Sequence, residues 1–238
     1  MLTLFPFEND FFEQNHIPVK YVGHPLAKKF SMSSHADRAR RLLNLDAAAP
    51  TLAVIPGSRL SEVKMMTHLF LDVVLHLRHD MPDLQVVLPA ANDILYLELQ
   101  KIISEHSVKD IKLLNKQSRL AMTASDAVLL TSGTTSLEAM LLKKPMVVAY
   151  KVGFLTYCIV APFINTPYIA IPNLLSNSML VPELIQTNAN KDKMQVEVKK
   201  MFENKFSDRL IPHYNRLHRQ LNRESGALAA EAIVDLVK

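Results

Sequence analysis

The chain has 238 residues, of which 49% are apolar and 21% charged. That balance belongs to globular domains and is too apolar for a disordered chain. Its 27 Lys and Arg against 23 Asp and Glu leave a net charge of +4, a mild excess spread too evenly to argue a nucleic-acid partner. A single cysteine, Cys158, excludes an intrachain disulfide and a cysteine-based metal cluster and fits a reducing compartment.

The first residues, MLTLFPFENDFFEQ, lack a basic n-region and meet Glu8 and Asp10 early, so they do not read as a signal peptide. Residues 1–25 hold an apolar start, a Phe-rich helical stretch and a strand at Val19–Val22, followed by Gly23-His24-Pro25. Too short for a domain, they read either as the last βαβ piece of a different domain, joined by a crossover around 24–35, or as a decoration of the main sheet. His24 reads as a hinge or packing residue.

Beyond that point short apolar runs alternate with helical patterns. Thr51–Ile55, Leu84–Leu88, Ile111–Leu114, Ala127–Leu130 and Met146–Ala149 are continuous apolar runs, as parallel strands covered on both faces require. Between them, Ser61–Asp80 carries Val63, Met66, Phe70, Val73, Val74 and Leu77 at helical spacing, Asp93–His106 carries Leu95, Leu99, Ile102 and Ile103, and Arg119–Ala124 and Thr135–Leu142 read as short helices. Met65 and Met66 read as core or helix surface. Strand–helix repetition of this kind implies an α/β fold, a Rossmann-like doubly wound parallel sheet. From about residue 190 the strand signals stop, and Met194–Phe202, Asp208–Leu221 and Ala227–Val237 read as helices. The most apolar stretch, Phe154–Ile164, is broken by Thr156 and Pro162 and falls short of the ~20 apolar residues that span a bilayer. It reads as a buried packing segment, with Cys158 as an inert core thiol, or as a membrane-interface element.

Only 5 glycines occur, where average usage of ~7% gives about 17, so each one invites a reason. Gly57 lies in Pro56-Gly57-Ser58-Arg59, between the strand TLAVI and a helix starting near Ser61. A strand that ends in a Gly-Ser turn at a helix N-terminus offers free N–H groups and the positive end of the helix dipole to a phosphate, and Arg59 adds a donor. The competing reading is a plain turn with Ser61 as cap. The pattern recurs after DAVLL, where Thr131-Ser132-Gly133-Thr134-Thr135-Ser136 opens a helix and Glu138 sits within it. A carboxylate there can accept both hydroxyls of a ribose, while Thr135-x-x-Glu138 is equally a capping box. Two such starts at the carboxyl ends of parallel strands converge on one crevice, which favours a nucleotide diphosphate site. The nine histidines form no metal pair of the HExxH kind, His76 and His79 included. The C-terminal run Arg216, His218, Arg219, Arg223 reads as a solvated helix face or a contact for anionic lipid.

Several segments in order carry a resemblance: Phe5-Pro6-Phe7-Glu8, Tyr21-Val22-Gly23-His24-Pro25, Ile55-Pro56-Gly57-Ser58-Arg59-x-x-Glu62-Val63, Ser132-Gly133-Thr134-x-x-Leu137-Glu138-x-Met140-Leu141, Pro145-Met146-Val147-Val148-x-Tyr150 and Ile171-Pro172-Asn173-Leu174-Leu175. Together they resemble bacterial lipid-A-disaccharide synthase along the whole chain. The resemblance implies the C-terminal half of a GT-B glycosyltransferase fold plus C-terminal helices: residues 1–25 a remnant of the acceptor domain, 26–190 the Rossmann-like UDP-sugar domain, and 191–238 helices packing on or across them. It implies an inverting hexosyltransferase that uses no metal and no cofactor, joining UDP-2,3-diacylglucosamine to 2,3-diacylglucosamine 1-phosphate (lipid X) to give the β-1,6 disaccharide and UDP. Peripheral attachment to the cytoplasmic face of the inner membrane follows, with a homodimer left open. Members carry a further N-terminal domain with the carboxylate proposed as general base, so the resemblance implies a shortened member and leaves the catalytic base outside this sequence. For UDP it implies Gly57, Ser58, Arg59, Ser132, Gly133, Thr134, Thr135, Glu138 and Asn173, with Arg59 also stabilising the leaving group; a turn-capping role for Asn173 stands beside that reading. The alternatives are a UDP-sugar epimerase of the same architecture and a UDP-binding module without turnover.

Overall fold

The computed structural model describes residues 1–33, 35–153 and 166–237. At the front, β1 (Leu2–Thr3), α1 (Phe7–Gln14) and β2 (Lys20–Tyr21) make a small unit in which the two strands pair in parallel, Leu2 opposite Lys20 and Thr3 opposite Tyr21. This pair does not join the main sheet. The crossover expected around 24–35 contains a helix, α2 (Pro25–Lys29), followed by α3 (Ala36–Leu42). His24 caps α2: its Nδ1 accepts the Leu26 N–H at 3.2 Å.

The main body runs β3 (Thr51–Ile55), α4 (Leu60–Asp80), β4 (Gln85–Ala90), α5 (Asp93–Glu105), β5 (Ile111–Asn115), α6 (Ser118–Ala124), β6 (Ala127–Leu130), α7 (Thr134–Leu141) and β7 (Met146–Tyr150). Further on come α8 (Ile171–Ser176), β8 (Glu183–Ile185), α9 (Lys191–Met201), α10 (Asn204–Leu221) and α11 (Ser225–Val237). The six strands form one all-parallel sheet in the order β5-β4-β3-β6-β7-β8. The chain winds outward from β3 to β5, returns to place β6 beside β3, then winds outward the other way. The topological switch point therefore lies between β3 and β6.

Alternation along the central strands explains why both faces are covered. Ala53, Ile55, Val128, Leu130, Met146 and Val148 point into one core with residues of α2, α3, α6, α7 and α10. Leu52, Val54, Ala127, Leu129, Val147 and Ala149 point into the other with α4, α5 and α9. The α4 stripe expected from spacing is buried throughout, from Val63 to Leu77. Met65 and Met66 divide: Met66 is core, Met65 surface. The segment Phe154–Ile164, with Cys158, lies outside the described residues.

The three C-terminal helices begin two to four residues earlier than the pattern suggests, and the last two close back on the front of the chain. Tyr21 Oη donates to the Gln220 carbonyl at 2.9 Å, the His24 N–H donates to Leu221 O at 3.0 Å, and Lys20 and Lys28 pair with Glu231 and Glu224. Gly23 (φ +82°) permits this approach, because a Cβ there would lie 2.7 Å from Arg223 Cβ. The basic run in α10 is accordingly not one solvated face. His218 is buried between Ala27 O and Lys143, and Arg223 lies 4.6 Å over the Tyr21 ring, while Arg216 and Arg219 remain exposed.

At the N-terminal edge of the sheet, Lys144 is buried and donates to Ser125 O at 2.7 Å. Burial lowers its ammonium to about 8, against an ordinary value of 10.5, and Lys143 is lowered to about 8 by the same cause. Between those two values the unfolded chain holds protons that the folded chain has released, so folding stability rises with pH across that window. Chemical denaturation from pH 7.5 to 10.5 will show this rise, and Lys144→Met will flatten it. An unchanged slope in the variant would assign the rise to other groups.

Candidate functional site

Because β3 and β6 are neighbours in register, with Ile55 opposite Leu130, their following loops emerge side by side. Thr131 fastens the junction: its N–H and its hydroxyl both donate to Ile55 O at 3.0 Å. The two loops, the end of β7 and the residues just before α8 enclose a cleft of about 440 Å³ lined by Gly57, Ser58, Arg59, Glu62, Thr131, Ser132, Gly133, Thr134, Thr135, Tyr150 and Ile169. Seven of the nine residues singled out from the sequence meet here. Glu62, Thr131, Tyr150 and Ile169 complete the wall: the first three stand inside segments quoted from the sequence without being assigned to the site, and Ile169 carries no motif that marks it.

Two glycines make the loop shapes possible. Gly57 has φ +129° and Gly133 φ +147° with ψ −164°, a region that side-chain-bearing residues avoid. Gly133 is the N-cap of α7, so Thr134 and Thr135 are its first two residues, whose N–H groups no helix carbonyl can reach. That register decides the role of Glu138. With the cap at Gly133, the third helical residue is Ser136, and its hydroxyl donates back to Gly133 O at 2.8 Å. Glu138 lies two positions too far for the capping box. It lines instead a second cleft, of about 700 Å³, with His35, Arg38, Lys116, Gln117 and Arg119. Burial raises the Glu138 carboxyl above its ordinary range, and Arg119 pulls it back. Lys116 and Gln117 directly follow β5, so this cleft opens on the same carboxyl edge of the sheet.

The capping box forms on α4. Arg59 is the N-cap, Glu62 the third helical residue, and Glu62 Oε2 accepts the N–H groups of Ser58 at 3.1 Å and Arg59 at 3.3 Å. The Arg59 guanidinium, 76% exposed, reaches Glu62 Oε1 at 3.1 Å. Ser61 is not the cap; the helix starts one residue before it.

Asn173 does not line the cleft. It is fully buried at the start of α8, where Nδ2 donates to Val181 O at 2.9 Å and to Glu183 Oε1 at 2.7 Å, and Oδ1 accepts the Val181 N–H. Glu183 in turn accepts the N–H groups of Ile169 and Ala170, both at 2.9 Å, and Ser132 Oγ donates to Ile169 O at 3.0 Å. Asn173 therefore sits behind the wall and acts on it through Glu183, ten residues away on β8. The sequence carries no signal for that partner. His76 and His79 face each other at 6.3 Å, and no group of three metal-ligating side chains occurs among the described residues.

This strand order, with paired glycine-hydroxyl helix starts at the switch point, is that of the Rossmann-like C-terminal half of a GT-B glycosyltransferase fold. Solved structures share it: an Anabaena protein crystallised with UDP and glucose aligns with a TM-score of 0.56 at 16% identity, over 100% of this chain and 62% of that one. A glycosyltransferase involved in lipopolysaccharide biosynthesis aligns at 0.58 and 11% identity, over 97% and 60%. At those identities the likeness speaks for the fold alone. Sequence comparison is more specific. The profile of the family described as lipid-A-disaccharide synthetase matches residues 1–237, and the chain belongs to that family. It is 41% identical over 239 residues to the lipid-A-disaccharide synthase of Cellvibrio japonicus, aligning over its whole length and 62% of that relative's.

The glycine conformations yield a direct check. Among the described residues no atom lies within 4 Å of where a Gly133 Cβ would stand, so Gly133→Ala suffers backbone strain, about 1–3 kcal/mol. At Gly57 a Cβ would also lie 2.7 Å from Glu62, so Gly57→Ala will cost more. Thermal melts of the two variants that rank them the other way would contradict the loop geometry.

Proposed function

We propose that the cleft between the β3 and β6 loops receives the diphosphate of UDP-2,3-diacylglucosamine, and that the chain serves the donor side of lipid-A-disaccharide synthesis. The observation that carries this is the convergence of Gly57-Ser58-Arg59 and Ser132-Gly133-Thr134-Thr135 on one cleft in a chain of this family. In the reaction, the 6-hydroxyl oxygen of 2,3-diacylglucosamine 1-phosphate attacks the anomeric carbon of the donor. The bond from that carbon to the UDP oxygen breaks, and the hydroxyl proton passes to a base. Negative charge grows on the departing diphosphate, where the Arg59 guanidinium and the starts of α4 and α7 meet it. Glu138, one turn along α7, offers its carboxylate to the ribose, which places the nucleoside in the larger cleft beside Arg119 and Lys116. Asn173 positions the Ile169 wall through Glu183.

Residues 26–190 form the donor unit in this reading, with 1–25 on the acceptor side and 191–238 clasping the two. In this reading the enzyme works at the cytoplasmic face of the inner membrane, where its diacylated substrates lie. No described helix is long and apolar enough to cross a bilayer. The carboxylates at the cleft do not supply the acceptor base in this reading: Glu62 belongs to the diphosphate loop, on the leaving-group side of the anomeric carbon, Glu138 is given to the ribose, and Glu183 is held by three N–H donors. His24 holds the Leu26 N–H and is buried beside Phe5.

Calorimetry on the isolated chain will detect UDP binding that persists in excess EDTA, and Arg59→Ala will weaken it by about 1.5–3 kcal/mol, the worth of a charge-assisted contact. Equal affinity in the variant removes Arg59 from the site, and strict dependence on a divalent cation reassigns the diphosphate loops. With a radiolabelled acceptor the isolated chain will form no disaccharide above background; turnover would place the base among these residues.

A further inference from the structure

The loop that faces the cleft already holds an anion, and that anion belongs to the chain. Glu62 folds back from the first turn of α4 until Oε2 takes the Ser58 and Arg59 N–H groups and Oε1 takes the Arg59 guanidinium. Its side chain is only 13% exposed. Gly57 makes the seat: a Cβ at that position would fall 2.7 Å from both Glu62 Oε2 and Glu62 Cβ. Two backbone donors, one guanidinium and a helix N-terminus thus converge on two carboxylate oxygens, which is the donor set a phosphate group demands.

A carboxylate and a phosphate cannot use the same N–H groups at once, and two anions held that close repel. We infer that Glu62 is an internal stand-in for phosphate: it keeps the Gly57–Arg59 loop in its receiving shape while the cleft is empty, and it withdraws when a nucleoside diphosphate binds. This rests on the reading of the cleft as the UDP site and adds how that site is regulated. Apparent affinity for UDP is reduced by the fraction of molecules in which Glu62 occupies the loop. After transfer, return of the carboxylate competes with the UDP product for the same donors and speeds its release. Glu62 is a positioning and gating residue here, not one that touches the reacting carbon.

The contrary reading is a brace, in which Glu62 stays in place and supports a phosphate bound elsewhere. Glu62→Gln and Glu62→Ala separate the two. Glu62→Gln removes the charge and keeps an acceptor oxygen for the loop, whereas Glu62→Ala vacates the seat. Calorimetry with UDP and NMR titration with uridine, which reads millimolar affinities, are run on wild type and both variants after melting curves confirm folding. A stand-in predicts UDP binding tightened roughly tenfold, the equivalent of one charge-assisted contact, with uridine affinity unchanged because uridine has no phosphate to compete. Wild type that binds UDP alongside variants that bind it equally or more weakly overturns the inference and establishes the brace. A gain shared equally by uridine also overturns it, since the effect then lies away from the phosphate. Failure of all three proteins to bind UDP at saturating concentration removes the UDP reading itself.

Discussion

The pairing of β3 with β6 is the constraint on which the rest depends. These strands are far apart in sequence, separated by two complete helix–strand excursions, and they lie side by side because the chain winds out to β5 and returns. With β4 already on one side of β3, the returning strand takes the open side, and right-handed crossovers then put α4 and α5 on one face of the sheet and α6 and α7 on the other. The consequence is chemical: two helix N-termini, each preceded by a glycine in a conformation other residues avoid, open into one space. Neither loop alone would be more than a turn. Beneath the sheet the same pairing is held by Arg40, whose guanidinium joins Ala124 O, Ala47 O and Asp126, while Asp126 also accepts the Thr51 N–H.

The two ends of the sheet consequently do different work. The N-terminal edge concentrates buried polar links, including Arg40 with Asp126 and Lys144 with Ser125 O, which fix strand positions. The carboxyl edge keeps its donors exposed or tied to groups that can leave. Ser58, Arg59, Gly133 and Thr134 are exposed, and the Glu183 network holds only the rear wall. A rigid base and an adaptable rim suit a cleft that takes in a charged ligand and later releases it.

Much of this was legible in the sequence because burial on both faces leaves a coarse mark. TLAVI, DAVLL and MVVA read as strands, and the loops after the first two read as phosphate seats. What escaped was register and reach. Thr135-x-x-Glu138 and Arg59-x-x-Glu62 have the same spacing of cap and carboxylate, yet only the second is a capping box, because Gly133 starts α7 two residues before Thr135. Gly133 takes that place through a backbone conformation, which pattern reasoning does not resolve. Asn173 was picked out by its motif, but its partner Glu183 on β8 was not, since a hydrogen bond between two polar side chains leaves no periodic trace. The short helix α8 leaves little mark for a similar reason: a six-residue element carries too little pattern to separate from loop.

The central claim is that two distant loops act as one binding surface. Amide hydrogen exchange read by mass spectrometry, with and without saturating UDP, tests it most directly, since peptides covering 56–62 and 131–138 report the two loops independently. The account predicts slowed exchange in both peptides at the same UDP concentration, with the N-terminal edge of the sheet unaffected. Protection of one loop without the other, or of neither while UDP is bound, would contradict it.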